Sequence, residues 1–171
     1  MSAPETAGRP LSDAAQRVQD ALVALDAKAF ENRVLELHEP VKTAQAAADA
    51  VGCTVGQIVK SLVFRMRSGA ASGRALLVLV SGANRVDTGK LAALLGEEVV
   101  MGDPKFVRAA TGFAIGGIPP LGHATALDIV IDRHLLSFGR LWAAAGHPNS
   151  LFPLTPTELR AMTGGRVADV A

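Results

Sequence analysis

Several residue types that point to particular chemistries are scarce in this chain of 171 residues. A single cysteine, Cys53, cannot form an internal disulfide, and such cysteine usage is typical of a reducing cytoplasm. The formal net charge of +1 argues against a DNA-binding protein, which would carry a broad basic surface, but not against a local contact with one end of an RNA. The longest apolar run, residues 75–80, is too short to span a bilayer, and residues 1–10 do not resemble a secretory signal. We therefore expect a cytoplasmic protein with no DNA or membrane partner.

Common catalytic motifs are also missing. Residues 82–91 resemble a phosphate-binding loop only faintly, because six residues rather than four separate the two glycines, and Leu91 stands where a magnesium-binding serine or threonine is needed. The chain contains no Gly-x-Gly-x-x-Gly and no Gly-x-Ser-x-Gly. None of the four histidines has a cysteine or another histidine at a metal-binding spacing: His38, His123, His134 and His147. These absences predict a site that uses neither a metal ion nor an organic cofactor.

Helix and strand signals follow one another along the chain. Five capping residues open predicted helices: Ser12, Thr43, Asp87, Asp103 and Thr155. Short hydrophobic segments predict strands at residues 33–38, 61–66, 75–80, 98–101, 127–132, 140–145 and 166–170, with a helical turn at 53–59 and a flexible hairpin connection at 67–74. This order predicts a single α+β domain with a mixed central β-sheet packed by helices. We expect residues 1–32 to form a leader and a helix, and residues 33–171 to form the main domain.

A loop of unusual composition lies at residues 112–123, Gly-Phe-Ala-Ile-Gly-Gly-Ile-Pro-Pro-Leu-Gly-His. Four glycines allow close approach of a ligand or another backbone, and two adjacent prolines stiffen the chain. We expect exposed amides at Gly116, Gly117 and Ile118, which can bind an oxyanion or a ribose without any side chain. The alternative is an ordinary connection between a helix and a strand.

Lys60 lies in an otherwise apolar stretch, where the pattern places it at the junction of a helical turn and a strand. Its side chain is either a solvated surface lysine or a cation held at the mouth of a pocket, where it would pair with a phosphate as a point charge. The sequence around it does not decide between the two.

Taken in order, several segments resemble the YbaK and prolyl-tRNA-synthetase-associated editing domain family. The matching segments are residues 57–64 (Gln-Ile-Val-Lys-Ser-Leu-Val-Phe), residues 76–82 (Leu-Leu-Val-Leu-Val-Ser-Gly), residues 116–120 (Gly-Gly-Ile-Pro-Pro) with Gly122, and residues 127–132 (Leu-Asp-Ile-Val-Ile-Asp). The likeness covers residues 33–170, nearly everything but the N-terminal helix. The lysine segment and the Gly-x-x-x-Pro loop, at this separation, give it most of its specificity.

This resemblance implies a freestanding enzyme that hydrolyses the ester of a mischarged aminoacyl-tRNA, with the acceptor end of the tRNA as its partner. It implies that Lys60 binds the phosphate of the terminal adenosine and that Gly116 and Gly117 hold the reacting ester. It also implies a substrate-assisted mechanism, in which the terminal ribose 2′-hydroxyl helps to activate water; the missing nucleophile–base pair agrees with this. The other residues expected at the substrate are Phe64, Ser81, Gly82, Ile118, Pro119, Pro120, Gly122, His123 and Leu151.

Details of the substrate are less tightly defined. At residues 150–152 the chain is mostly apolar, whereas members of the family it resembles tend to have acidic or polar residues. This departure favours a small aminoacyl group, such as alanine or 2-aminobutyrate on the proline tRNA, over cysteine, with serine or threonine next. His123 is either a hydrogen-bonding residue of the pocket wall or a surface residue. A non-catalytic module that binds a nucleotide or an acylated RNA end is the alternative function, since the same loop and Lys60 would serve it equally well. The sequence is compatible with either a monomer or a homodimer.

Overall fold

The computed structural model describes residues 10–67 and 73–171, so most of the expected connection at residues 67–74 lies outside the described residues. These two ranges contain six α-helices: α1 (Asp13–Leu25), α2 (Ala27–Phe30), α3 (Ala44–Val51), α4 (Thr88–Leu95), α5 (Pro104–Thr111) and α6 (Pro156–Thr163). Two short 3-10 helices lie at Val55–Gln57 and Arg133–Ser137. In the described part of the chain, no helix is long and apolar enough to cross a membrane.

The predicted helix starts are confirmed. Each of the five capping side chains accepts a hydrogen bond from an amide in the first turn of its helix, which satisfies a donor that the helix itself leaves free: Ser12, Thr43, Asp87, Asp103 and Thr155. Helices α3 to α6 each end at a glycine with a positive φ. Local capping chemistry therefore fixes most helix bounds.

In the described residues, eight strands form one mixed sheet, as expected for the α+β class. They are β1 (Leu35–Glu36), β2 (Ile58–Met66), β3 (Ala75–Ser81), β4 (Val99–Met101), β5 (Asp128–Asp132), β6 (Leu141–Ala144), β7 (Ser150–Leu154) and β8 (Arg166–Ala168). The order across the sheet is β1-β7-β6-β2-β3-β5-β8, and β4 pairs with β2. Strands β2 and β6, β3 and β5, and β5 and β8 run parallel, whereas the other neighbours are antiparallel.

Strand β2 is the central strand, and one of its edges is shared between two partners. On one side it pairs with β3 from Val59 to Arg65. On the other side it pairs with β6 only at Ile58 and Val59, and with β4 only from Phe64 onward. Among the described strands, residues 60–62 therefore pair with β3 alone, and their other edge is open. The predicted junction position of Lys60 is wrong: β2 begins three residues before the predicted start, so Lys60 is its third residue.

The core lies on both faces of the sheet and includes the N-terminal helix. On one face, Ala15, Val18 and Leu22 of α1 are fully buried in the same cluster as Val59 and Val63 of β2. Helix α1 is thus packed into the main body; the proposed division between residues 32 and 33 stays a prediction. The sequence pattern missed β7, α2 and the 3-10 helix at Arg133–Ser137.

Candidate functional site

A cleft of about 260 Å³ opens at the unpaired edge of β2. Its walls are the start of α3, the glycine-proline loop, and the ends of β6 and β7. Four of the residues selected from the sequence line it together, although they are far apart in the chain: Lys60, Gly116, Ile118 and Leu151. The other lining residues are Val41, Lys42, Thr43, Ala44, Ala47, Ile58, Val59, Ser61, Leu62, Ile115, Ala144 and Pro148.

Lys60 is a partly buried cation at this cleft. Its Nζ donates a hydrogen bond to the main-chain oxygen of Asn84, whose side-chain amide lies 2.7 Å from Nδ1 of His134. Burial lowers the pKa of Lys60, and the nearby charge of Arg85 lowers it further. An ammonium group has three donors, so the bond to Asn84 orients Lys60 and leaves two donors for an anionic ligand.

The main-chain amides of Gly116 and Ile118 belong to two residues of the glycine-proline loop that line the cleft. Gly116 is exposed and has a φ of +93°, a conformation that favours glycine. Ile118 is 3% exposed, so it is buried and not exposed as expected, although it lines the cleft. Among the described residues, neither amide has a main-chain or side-chain acceptor. Two main-chain donors at the wall of an otherwise apolar cleft are the kind of group that can hold a developing negative charge on oxygen.

Gly117 does not present its amide to the cleft, so that expectation is wrong. Its N–H donates to the Ala114 oxygen at 3.1 Å, and its own oxygen accepts from the Gly146 amide at 2.8 Å. A Cβ at Gly117 would lie 2.9 Å from main-chain atoms of Gly146 and His147. Gly117 is a glycine because two backbones cross there, and its position fixes the loop to the segment before β7.

His123 lies behind the loop and does not line the cleft. Its Nε2 is 2.7 Å from the Pro119 oxygen, so this nitrogen carries the proton and donates to the carbonyl. Burial lowers the pKa of His123, although the bond to Pro119 acts in the opposite direction. The geometry favours the interpretation that His123 supports the loop from the rear. Pro120 is buried there as well, and Gly122 is near Ala21 of α1.

Three other selected residues also lie away from the cleft. Phe64 is 2% exposed and is buried in a core cluster with Leu76 and Val78 of β3. Ser81 is fully buried, and its hydroxyl donates to the Gly56 oxygen at 2.7 Å. A Cβ at Gly82 would lie 2.4 Å from the Val55 oxygen. These residues position β2 and the segment before it, and substrate contact by them is not supported by the geometry.

Ser61 and the start of α3 are parts of the cleft that sequence reasoning missed. Ser61 follows Lys60 directly, and alternation along a strand would have placed it on the other face of β2. Both residues reach the cleft because it opens at the edge of the sheet. Only the pairing of β2 with β6 and β4 shows that edge, and no local sequence signal reports it.

The cleft is without obvious acid–base or metal chemistry. No aspartate, glutamate, histidine or cysteine is among its lining residues as far as the chain is described. Residues 10–67 and 73–171 likewise hold no group of three such side chains placed to bind a metal ion. The cleft therefore offers the partly buried Lys60, the exposed Lys42, main-chain donors and a largely apolar wall, which are means of binding and orienting a ligand.

Known proteins resemble this chain over most of its length. A family model for the aminoacyl-tRNA editing domain matches residues 38–162. The uncharacterized protein YwhH of Bacillus subtilis is 31% identical over 137 residues, which cover 80% of this chain and 85% of YwhH. EbsC of Enterococcus faecalis, described as a candidate Cys-tRNA(Pro)/Cys-tRNA(Cys) deacylase, is 26% identical over 75% of this chain and 76% of its own. A solved structure described as a candidate trans-editing enzyme for prolyl-tRNA synthetase is 49% identical, with a TM-score of 0.84 and 94% and 98% of the two chains covered.

Proposed function

The chain belongs to the aminoacyl-tRNA editing domain family, and from this premise we propose that it is a trans-acting deacylase, which hydrolyses the ester of a mischarged tRNA in the cytoplasm. The proposed substrate is proline tRNA that carries a small amino acid such as alanine or 2-aminobutyrate. The relative described as acting for prolyl-tRNA synthetase supports this choice of tRNA.

The observation that carries the proposal is the arrangement of the cleft. It brings the one partly buried lysine of the lining to the same 260 Å³ space as the Gly116 and Ile118 amides. A cation and two main-chain donors match the two anionic features of the reaction, a phosphate of the acceptor end and the oxygen of the tetrahedral intermediate.

Lys60 has the phosphate role in this proposal. Its hydrogen bond to Asn84 holds the ammonium group at the cleft, so that little side-chain entropy is lost when the terminal nucleotide binds. The lowered pKa does not conflict with this role, because a phosphate beside Lys60 would favour the charged form.

Hydrolysis then depends on how the ester is positioned in the cleft and on a hydroxyl group of the substrate itself. The ester carbonyl lies against the Gly116 and Ile118 amides, which stabilise the oxyanion as water attacks. Among the described lining residues there is no side chain suited to take a proton from that water. The 2′-hydroxyl of the terminal ribose is a polar group of the substrate next to the ester oxygen, and we assign it the part of orienting and activating the water.

The size of the cleft supports a small aminoacyl group. Its volume of about 260 Å³ is below the roughly 300–1,000 Å³ of sites that enclose drug-sized ligands. Ile118 and Leu151 are almost fully buried and are apolar, so they offer no partner to a strongly polar side chain. One methylene changes the free energy of recognition by only about 1–3 kcal/mol, so alanine and 2-aminobutyrate should both be accepted.

The test is deacylation of a set of substrates on the same proline tRNA. Alanyl, 2-aminobutyryl, seryl, cysteinyl and phenylalanyl esters are incubated with the protein, and loss of the ester is followed against spontaneous hydrolysis. We expect turnover of the first two, weaker turnover of the seryl ester and none of the phenylalanyl ester. If the protein binds the tRNA but none of the five esters is lost faster than by spontaneous hydrolysis, the proposed enzymatic activity is contradicted and a non-catalytic binding module is supported.

A further inference from the structure

Ser61 has an unusual position in the cleft. It lies in β2 directly after Lys60 and lines the same space. Its Oγ is shielded from solvent and has no hydrogen-bond partner among the described residues. A hydroxyl withdrawn from water without a partner costs free energy, so such groups are rare in folded proteins and need an explanation.

The main chain of Ser61 is also directed to the open edge. In an antiparallel ladder, successive residues direct their N–H and C=O alternately to one side and the other. The Ile58 oxygen accepts from Gly82 beside β3, whereas the Val63 oxygen accepts from the Gly102 amide on the opposite side at 2.9 Å. Ser61 shares the parity of Val63, so its N–H and C=O face the gap between β6 and β4. Ser61 thus brings two oxygens, one of the side chain and one of the main chain, to one place.

An aminoacyl ester has a group that needs such oxygens. Its α-amine is largely protonated near neutral pH, and an ammonium group requires hydrogen-bond acceptors when it leaves water. The described lining residues include no carboxylate. Side-chain oxygens come only from Thr43 and Ser61, and the Thr43 hydroxyl already accepts from the Ala46 amide at 3.0 Å.

We propose that Ser61 is the acceptor for the α-ammonium group of the aminoacyl ester, through Oγ and its main-chain oxygen; this inference rests on the proposed function. Serine has one side-chain torsion between heavy atoms, so Oγ turns toward a bound group without movement of the strand. Ser61 is a positioning residue: it orients the ester against the Gly116 and Ile118 amides and selects esters that carry a free α-amine.

The experiment uses two stable adenosine analogues, so its result does not depend on hydrolysis. One is 3′-deoxyadenosine with an alanylamido group at C3′, and the other carries a propionylamido group, which lacks only the α-amine. Their affinities for wild type, Ser61→Ala and Ser61→Thr are measured by calorimetry at pH 7. We expect Ser61→Ala to bind the alanyl analogue about tenfold more weakly, because a hydrogen bond to a charged group is lost, and to bind the propionyl analogue as wild type does. Ser61→Thr, which keeps the hydroxyl, should restore the preference for the amine.

Ser81 on the neighbouring strand is the matched control, because its hydroxyl has a partner in the Gly56 oxygen. Ser81→Ala should lower the melting temperature and leave the ratio of the two affinities unchanged, whereas Ser61→Ala should leave the melting temperature equal or higher. If Ser61→Ala weakens the binding of both analogues equally, or of neither, the assignment of Ser61 is contradicted. If the wild-type protein binds the alanyl analogue more tightly than the propionyl analogue but hydrolyses no ester, the proposed deacylase activity is contradicted and the assignment of Ser61 stands.

Discussion

Gly116 and Gly117 are neighbours in the chain and have opposite surroundings. In the described chain, a Cβ at Gly116 would meet only Pro148 Cγ at 4.0 Å; Gly116 lines the cleft, and its amide has no hydrogen-bond partner there. Gly117 is buried, its N–H and oxygen are both bonded within the protein, and the backbone of Gly146 and His147 leaves no space for a Cβ. We call Gly116 with Lys60 and Ile118 the cleft side of the site, and Gly117 with His123 the anchored side. Substitutions on the cleft side should change the rate or the substrate selectivity of deacylation, and substitutions on the anchored side should change the stability of the fold.

Lys60→Ala is the change with the largest expected effect on the cleft side. Loss of a charged hydrogen bond to phosphate costs about 1.5–3 kcal/mol, so deacylation at subsaturating tRNA should fall up to about 100-fold. The salt dependence of tRNA binding should become shallower, since one phosphate contact is removed. The melting temperature should change little. Lys105→Ala, which removes an exposed lysine of α5 that does not line the cleft, is the control. Equal losses in the two variants would remove Lys60 from the site.

Gly117→Ala should act mainly on the fold. Its new Cβ would lie 2.9 Å from main-chain atoms that cannot rotate away, and overpacking of this kind costs about 1–3 kcal/mol. For a chain of this size the melting temperature should fall by about 2–4 °C for each kcal/mol. Gly139→Ala, where a Cβ meets nothing within 4 Å, is the control. Normal stability combined with slow hydrolysis in Gly117→Ala would contradict the assignment of Gly117 to the anchored side.

Ile118→Val should change selectivity on the cleft side. Removal of one methyl group from the wall enlarges the space for the aminoacyl side chain, so the rate for the 2-aminobutyryl ester should rise relative to the alanyl ester by up to about tenfold. Ile115→Val makes the same change at a side chain of the rim that is 54% exposed, and the substrate ranking should stay as in wild type. If both variants keep the wild-type ranking, Ile118 does not contact the aminoacyl group.

His123→Gln should have the smallest effect, on the pH dependence of stability. Burial lowers the pKa of His123 in the folded protein, so the unfolded chain binds a proton more readily as the pH falls below about 6.5. The free energy of unfolding therefore carries no penalty from His123 above that pH and decreases as the pH falls below it. His123→Gln keeps a donor for the Pro119 oxygen and cannot titrate, so its melting temperature should fall less than that of wild type between pH 7.5 and 5.5. If wild type and His123→Gln show the same decrease in melting temperature between pH 7.5 and 5.5, His123 does not cause the pH dependence of stability.

The parts of this structure that depend on local chemistry could be predicted from the sequence, and those that depend on pairing could not. The caps at Thr43 and Asp103 and the glycines that end their helices act within one turn, so the helix bounds were correct. The sequence also pointed to Lys60 and residues 116–120, and the structure brings Lys60, Gly116 and Ile118 to one cleft. It could not show that β2 begins at Ile58 or that its edge is open at Ser61, because both depend on pairing with strands that are distant in the sequence, β6 for the start and β6 and β4 for the open edge. Gly116 and Gly117 look alike in the sequence for the same reason, since what distinguishes them is the Gly146–His147 backbone.

The most direct test of the account is the part played by the substrate, because no lining side chain in the described chain is suited to act as the base. Single-turnover hydrolysis by wild-type protein is measured for alanyl-tRNA with a terminal ribose and for the same ester with hydrogen in place of the 2′-hydroxyl. We expect the ribose ester to be hydrolysed and the deoxy ester to react about 10²–10³ times more slowly, the loss typical for removal of one group that stabilises the transition state. Equal rates for the two esters would contradict the account and would require a protein base.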